Sequence, residues 1–266
     1  MFTYKRDPMS DNNTDSSTSI PVPRCVHFSY LPMGQRTLFS AALIVLSMGY
    51  MFAMIYVFES HAGRDGNPML SVNDLIIAYS GSKADTKLES ALKGPMTNML
   101  PPEEKNEIIA WVRRGAKQEE FSPVEKITKQ RCFTCHDGSN PHIPNLVGYA
   151  NVAKTAQMDT GMNVFTLVRV SHIHLFGLTF IFFITGTIFC HAYLRQKWLK
   201  CLILALPFLS ILFDIASWYL TKVYQPFAYV VLASGGVMGM CFAAQILISL
   251  YQMWIYKPPK DLVLDV

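Results

Sequence analysis

The sequence predicts an all-α protein, a four-helix transmembrane bundle with a small helical domain inserted after its first span. Three observations carry this. Hydrophobic residues make up 51% of the 266 residues and charged residues only 16%, against about a quarter charged in soluble domains. The apolar residues collect in four runs, Leu38 to Phe58, Val170 to Leu194, Trp198 to Leu220 and Phe227 to Trp254. Each exceeds the roughly 20 residues that a helix needs to cross the hydrocarbon core of a bilayer. Between the first and second runs lies a polar stretch, Glu59 to Arg169. The same composition excludes a disordered chain and argues against an ordinary cytosolic enzyme. The net charge of +4 is dispersed, and no basic patch is interleaved with aromatic residues, so no nucleic-acid partner is expected.

In chain order, residues 1–36 read as a flexible cytoplasmic tail, with a polar run from Ser10 to Ser19 followed by prolines. Residues 37–58 form the first span. It is longer than the 7–15-residue apolar core of a signal peptide and lacks a small-x-small cleavage site, so it reads as an uncleaved anchor. Residues 59–169 form the inserted domain, residues 170–256 hold three further spans, and residues 257–266 form a second cytoplasmic tail. Orientation follows the basic residues that flank the spans. Arg24 and Arg36, then Arg195, Lys197 and Lys200, then Lys257 and Lys260 gather on one side, against Lys222 alone on the other. Both termini are therefore expected in the cytoplasm. The inserted domain is expected on the outer, periplasmic face of a bacterial cytoplasmic membrane. Gly235 and Gly239 make a GxxxG step that lets a neighbouring helix approach. Pro207 is expected to kink the third span. Cys190, Cys201 and Cys241 sit in apolar runs and read as small hydrophobes.

One motif carries chemistry. Cys132-Phe133-Thr134-Cys135-His136 is a CxxCH sequence, the attachment signature of c-type haem. The spacing lets two thiols reach the two vinyl groups on one porphyrin edge while the adjacent imidazole turns under the iron. A zinc site built from Cys132, Cys135, His136 and His142 is the competing reading. Adjacent ligands at 135 and 136 are awkward for a closed tetrahedron. The expected cofactor is therefore one covalent haem c, with His136 as the proximal iron ligand.

The residues around the motif extend this. Pro144-Asn145-Leu146 follows it. Before it come Gly94-Pro95-Met96-Thr97-Asn98-Met99-Leu100-Pro101-Pro102-Glu103-Glu104 and then a helix-forming stretch that ends at Gly115. In that stretch Ile108, Ile109, Trp111 and Val112 give an apolar face. Over roughly residues 80–150 the chain resembles class I c-type cytochromes with the order of segments permuted. The resemblance implies that Pro144 and Leu146 pack against the proximal histidine. It also implies a methionine as distal iron ligand, with Met99 first, Met96 as its alternative, and core packing as an equal reading for either. Met158, Met162 and His142 are weaker candidates.

Ionisable residues inside spans are costly and point to function. His172 and His174 stand at the outer end of the second span and Asp214 in the outer half of the third. At 100° per residue the two histidines face different sides of their helix. The first, third and fourth runs contain no histidine, so a haem held between two histidines of the bundle is not expected.

Three functions follow as expectations. The first is a membrane-bound cytochrome that carries single electrons, with redox partner proteins or subunits. The second is a quinol-oxidising subunit that uses His172, His174 and Asp214 and passes electrons to its own haem c. In the third, the bundle docks a larger respiratory complex. No nucleophile triad, phosphate loop or metalloprotease helix accompanies them.

Overall fold

The computed structural model describes residues 26–141 and 143–257. His142, Arg24, Lys260 and the Ser10–Ser19 run therefore lie outside the described residues. Those described are all-helical, with no strand among them. Nine helices follow in order: α1 Met33–His61, α2 Val72–Ser80, α3 Lys87–Lys93, α4 Pro102–Arg113, α5 Ser122–Ile127, α6 Tyr149–Thr155, α7 Val164–Phe189, α8 Lys197–Val223 and α9 Phe227–Trp254. Of these, α1, α7, α8 and α9 are long and apolar enough to cross a membrane. Chain direction gives the bundle two ends. One carries residues 26–32 and the α7–α8 link, and the other carries the inserted segment.

Three observed boundaries differ from those expected. The first span begins at Met33 rather than residue 37 and reaches His61 rather than residue 58. The second begins at Val164, where the Asn163 side chain accepts from the Thr166 amide at 2.7 Å and caps the helix. The segment before α1 also departs from the expected tail. Residues 28–30 form a short 3-10 turn, and His27, Phe28 and Leu31 are buried against the bundle. Apolar burial holds them where polar composition alone predicted a free chain.

Toward the end that carries the α7–α8 link, the bundle is closed by one polar side chain. Pro207 lies inside α8, which runs unbroken from Lys197 to Val223. Proline has no backbone N–H, so the Ile203 carbonyl one turn earlier loses its helical donor. The fully buried Gln245 of α9 supplies the replacement, its Nε2 donating to Ile203 O at 3.0 Å. Its Oε1 accepts from the Thr185 hydroxyl of α7. One amide thus joins three helices. Of the GxxxG pair, a side chain added at Gly239 would lie 3.4 Å from the Tyr50 hydroxyl of α1, whereas Gly235 faces open space.

The inserted segment divides into two parts. α2 belongs to the bundle, because Leu75 and Tyr79 join the bundle core and Tyr79 stacks on Trp218 of α8 with centroids 6.0 Å apart. A second core is separate: Leu88, Leu92, Leu100, Ile108, Trp111, Val112, Phe121, Val124, Ile127, Leu146 and Val152. It starts and ends at a narrow neck. Gly81 and Gly161, both at positive φ, cross there so closely that a Cβ on Gly81 would lie 2.2 Å from Asp159 O. Lys222 of α8 binds this neck, its Nζ donating to the carbonyls of Tyr79, Thr160 and Met162 at 2.8, 3.0 and 2.8 Å.

Gln245→Leu leaves the Thr185 hydroxyl and the Ile203 carbonyl without their partner and is expected to cost about 1–3 kcal/mol. Thermal unfolding in detergent checks this. Adding Pro207→Ala returns a backbone donor to Ile203 and is expected to recover part of the loss, a coupling readable as a double-mutant cycle.

Candidate functional site

The CxxCH sequence sits at the end of α5. There the helix widens into a π-type turn, Thr128–Cys132, and the chain closes on itself with the amides of Cys135 and His136 donating to Cys132 O at 3.1 and 2.8 Å. Cys132 packs against the second core, while Cys135 is exposed. Both thiols are free. Burial, and then the nearby charge of Glu104, hold the Cys132 thiol above its ordinary pKa.

His136 is oriented by the segment that follows it. Its Nδ1 lies 2.7 Å from the Pro144 carbonyl. A carbonyl can only accept, so Nδ1 carries the hydrogen and Nε2 keeps its lone pair for a ligand. The Leu146 amide donates to His136 O at 2.9 Å, and the Leu146 side chain is buried in the second core. The turn between them requires glycine. Gly138 has φ +91, and a Cβ there would come within 2.6 Å of Asn145 Nδ2. Asp137 folds over Ser139, whose hydroxyl and amide hold its carboxyl below the usual range.

The stretch expected as a helix before the motif is α4, with Pro102 at its first turn beside Glu103 and Glu104, and Gly115 past its end at φ +96. Ile108, Trp111 and Val112 are buried. An ion pair joins this helix to the motif: Arg131 Nε and Nη2 donate to the two Glu104 oxygens at 2.9 and 3.0 Å. The two methionines separate. Met96 packs against the same core as Cys132, whereas Met99 is 64% exposed. Met158 is exposed and Met162 packs on the bundle core.

A haem c asks for two thiols and a nitrogen lone pair, and this donor set supplies them: two unpaired thiols in one turn and an imidazole whose tautomer leaves Nε2 open. Among the described residues no three His, Cys, Asp or Glu side chains converge as a metal cage. Haem iron takes its four equatorial ligands from the porphyrin and needs no such cage.

The polar residues of the spans are placed differently from one another. His172 is exposed and stands edge-on to Phe176. His174 is half-buried, its Nδ1 2.9 Å from Val170 O and its ring edge-on to Trp218 at 5.2 Å. Asp214 is buried one turn before Trp218, and no hydrogen bond or ion pair joins it to either histidine among the described residues. The indole Nε1 of Trp218 is also buried, and no acceptor meets it at full hydrogen-bond geometry. Sequence reasoning missed Tyr79, Trp218 and His61 at this end. α1 does end on a histidine, correcting the expectation of none in the first span, and its Nδ1 lies 3.1 Å from Val57 O. A chain of ring contacts runs from His61 to Tyr79, from Tyr79 to Trp218 and from Trp218 to His174. The available signals were a histidine three residues past an apolar run and a tryptophan one turn from an intramembrane aspartate.

A family model described as a transmembrane helical domain matches residues 138–260, just under half of the chain. The match takes in α7, α8 and α9 and begins two residues after His136. No curated protein and no solved structure matches the chain. The chain is accordingly a multi-pass helical membrane protein.

Gly138→Ala forces a Cβ into the Asn145 amide at a left-handed backbone position, at a cost of about 1–2 kcal/mol. Amide exchange at Leu146, whose N–H is bonded to His136 O, is expected to quicken roughly tenfold, with α8 and α9 unaffected.

Proposed function

We propose that the protein is a membrane-anchored, mono-haem c-type cytochrome that carries single electrons on the outer face of the cytoplasmic membrane, within a redox complex. The observation that carries this reading is the CxxCH turn together with the Nδ1 contact from His136 to Pro144. Cys132 and Cys135 hold the group covalently. His136 presents Nε2 to the iron, and its bond to the Pro144 carbonyl fixes the ring and raises its basicity. Leu146 and the Arg131–Glu104 pair keep the turn in place. Met96, which shares a core with Cys132, is favoured over Met99 as distal ligand. Bound there, haem c supplies a one-electron couple whose potential follows from its axial ligands and burial. The basic residues at the 26–36, 195–200 and 257 positions favour a cytoplasmic location for that end, which leaves the second core outside.

A pyridine haemochrome spectrum of the purified protein tests this directly. Cys132→Ala with Cys135→Ala is expected to abolish covalent haem staining while the protein still inserts. Met96→Leu is expected to keep the stain and lower the reduction potential, and Met99→Leu to change neither. Absence of c-type absorbance from wild-type protein made with a haem-attachment system would overturn the reading.

A second reading, quinol oxidation, is favoured by one observation: the buried Trp218 Nε1 meets no acceptor at full hydrogen-bond geometry, one turn from the buried Asp214 carboxyl, and the ring of His174, whose Nδ1 faces Val170 O, lies against the same indole. In this reading His174 takes up one quinol proton at Nε2 and Asp214 takes up the other. Oxidation of one quinol releases two protons and two electrons, and the electrons pass one at a time to a haem c at the CxxCH turn for delivery to the redox partner. Asp214→Asn is expected to slow haem reduction by a short-chain quinol roughly 100-fold with haem content intact. Equal rates remove quinol from the account and leave the electron carrier standing.

A further inference from the structure

We propose that residues 26–31 are a pH-sensitive latch on the bundle end opposite the inserted segment, docked while His27 is neutral and released when His27 takes a proton. Hydrogen-bond bookkeeping around one buried imidazole leads to this. Gln252 of α9 is paired with the backbone of Tyr193, its Nε2 donating to Tyr193 O and its Oε1 accepting from Tyr193 N, both at 2.7 Å. That pairing fixes which end of the amide is oxygen. Gln252 Oε1 also lies 3.1 Å from His27 Nε2, so His27 Nε2 must be the donor. On the other side of the ring, Nδ1 accepts from the Ser29 amide at 3.1 Å and caps the 3-10 turn. Nδ1 therefore needs its lone pair. Only the neutral Nε2–H tautomer satisfies both contacts, and a proton on Nδ1 abolishes the cap.

No counter-ion stabilises that proton; the Ser29 hydroxyl, 3.0 Å from Nδ1, can accept a hydrogen bond from it, but the Ser29 amide then loses its acceptor. The charged and titratable groups of the elements around His27 are Tyr30 in the segment itself, Arg36 on α1, Cys190, His191, Tyr193 and Arg195 at the end of α7 and in the α7–α8 link, Lys197, Lys200 and Cys201 on α8, and Tyr251, Tyr256 and Lys257 on and after α9. Among the described residues this end contains no Asp or Glu. His191 donates from Nδ1 to Val26 O at 2.8 Å, and its ring packs on Phe28, so the second anchor of the segment is another histidine rather than a counter-ion. Burial chiefly holds the His27 pKa below its ordinary value, opposed by the Gln252 bond and reinforced by His191.

The direction of the pH effect follows. Above about pH 6.5 His27 is neutral whether docked or free, and the latch has its full strength. As pH falls below that, the free segment takes up a proton that the docked one resists. Docking then weakens by up to about tenfold per pH unit until the docked imidazole itself titrates. Phe28, fully buried when docked, is exposed on release and uncovers the surface it occupies beside Phe39 and His191.

Hydrogen exchange on the full-length protein in detergent tests this. Protection factors at Ser29, Tyr30 and Leu31, corrected for the intrinsic pH dependence of exchange, are read against those of Ala41 and Ala42 in α1. The expected result is constant protection from pH 8 to 7, a fall approaching tenfold per unit below about 6.5, and no change in α1. His27→Asn keeps a side-chain oxygen for the cap and has nothing to titrate, so its protection is expected to be flat with pH. Flat protection in the wild-type protein overturns the proposal, as does an equal slope in His27→Asn. If the variant fails to dock at any pH, the wild-type profile alone decides.

Discussion

The bundle depends on one backbone carbonyl that its own helix cannot satisfy. Within an apolar surround a lone carbonyl is costly, because no water reaches it. Pro207 creates such a group at Ile203, and the buried Gln245 side chain meets it. Since Gln245 also accepts from Thr185, the same amide sets the axial register of α7, α8 and α9. Register then propagates. With α8 fixed, Trp218 stands where Tyr79 can stack on it, and Lys222 stands where three carbonyls of the neck converge. α1 meets α9 at two levels: Tyr50 stacks on Phe242 and rests over Gly239, and nearer the other end Arg36 donates to Met253 O while Ser40 accepts from the Trp254 indole.

The second core does for the motif what the bundle does for α2. A CxxCH sequence is chemically useful only if the turn is held and the imidazole is aimed, and short loops do neither alone. Three ties act here. Cys132 is rooted among core residues, Leu146 is buried ten residues past His136, and Arg131 is clamped to Glu104 at the start of α4. Glu89 supports the same unit from the other side. Buried at the start of α3, it accepts from the Thr86 amide and from Arg113 of α4, and these bonds outweigh the cost of its burial and hold its carboxyl below the usual range.

Features written in local order were legible in the sequence. The four spans, the Pro-led start of α4, its buried face and the CxxCH turn all follow from periodicity, capping residues and spacing. What required the third dimension was not. Leu75 and Tyr79 look like residues of the inserted domain and instead complete the bundle, because α2 folds back across its end. Met99 abuts α4 in sequence but points away from the core that Met96 touches. His27 and Phe28 sit in a polar, proline-bearing segment whose burial depends on partners 165 and more residues away. Gln245 did carry a signal, an amide in the middle of an apolar run. Pairing it with the carbonyl that Pro207 frees on the preceding helix would have located the three-helix junction.

The neck of Gly81 and Gly161 bears on how such a chain assembles. The segments entering and leaving it are already paired, with Lys87 N on Gln157 O, Asp159 N on Asp85 O and Met162 N on Ala78 O. An open loop of that length would tax the bundle with closure entropy that grows with the logarithm of its length. Once its own core has formed, the insert presents the bundle with two ends already touching, and the remaining closure resembles that of a tight turn. Folding outside the membrane and packing within it then become nearly separate transactions, joined through a crossing too narrow for a single methyl group.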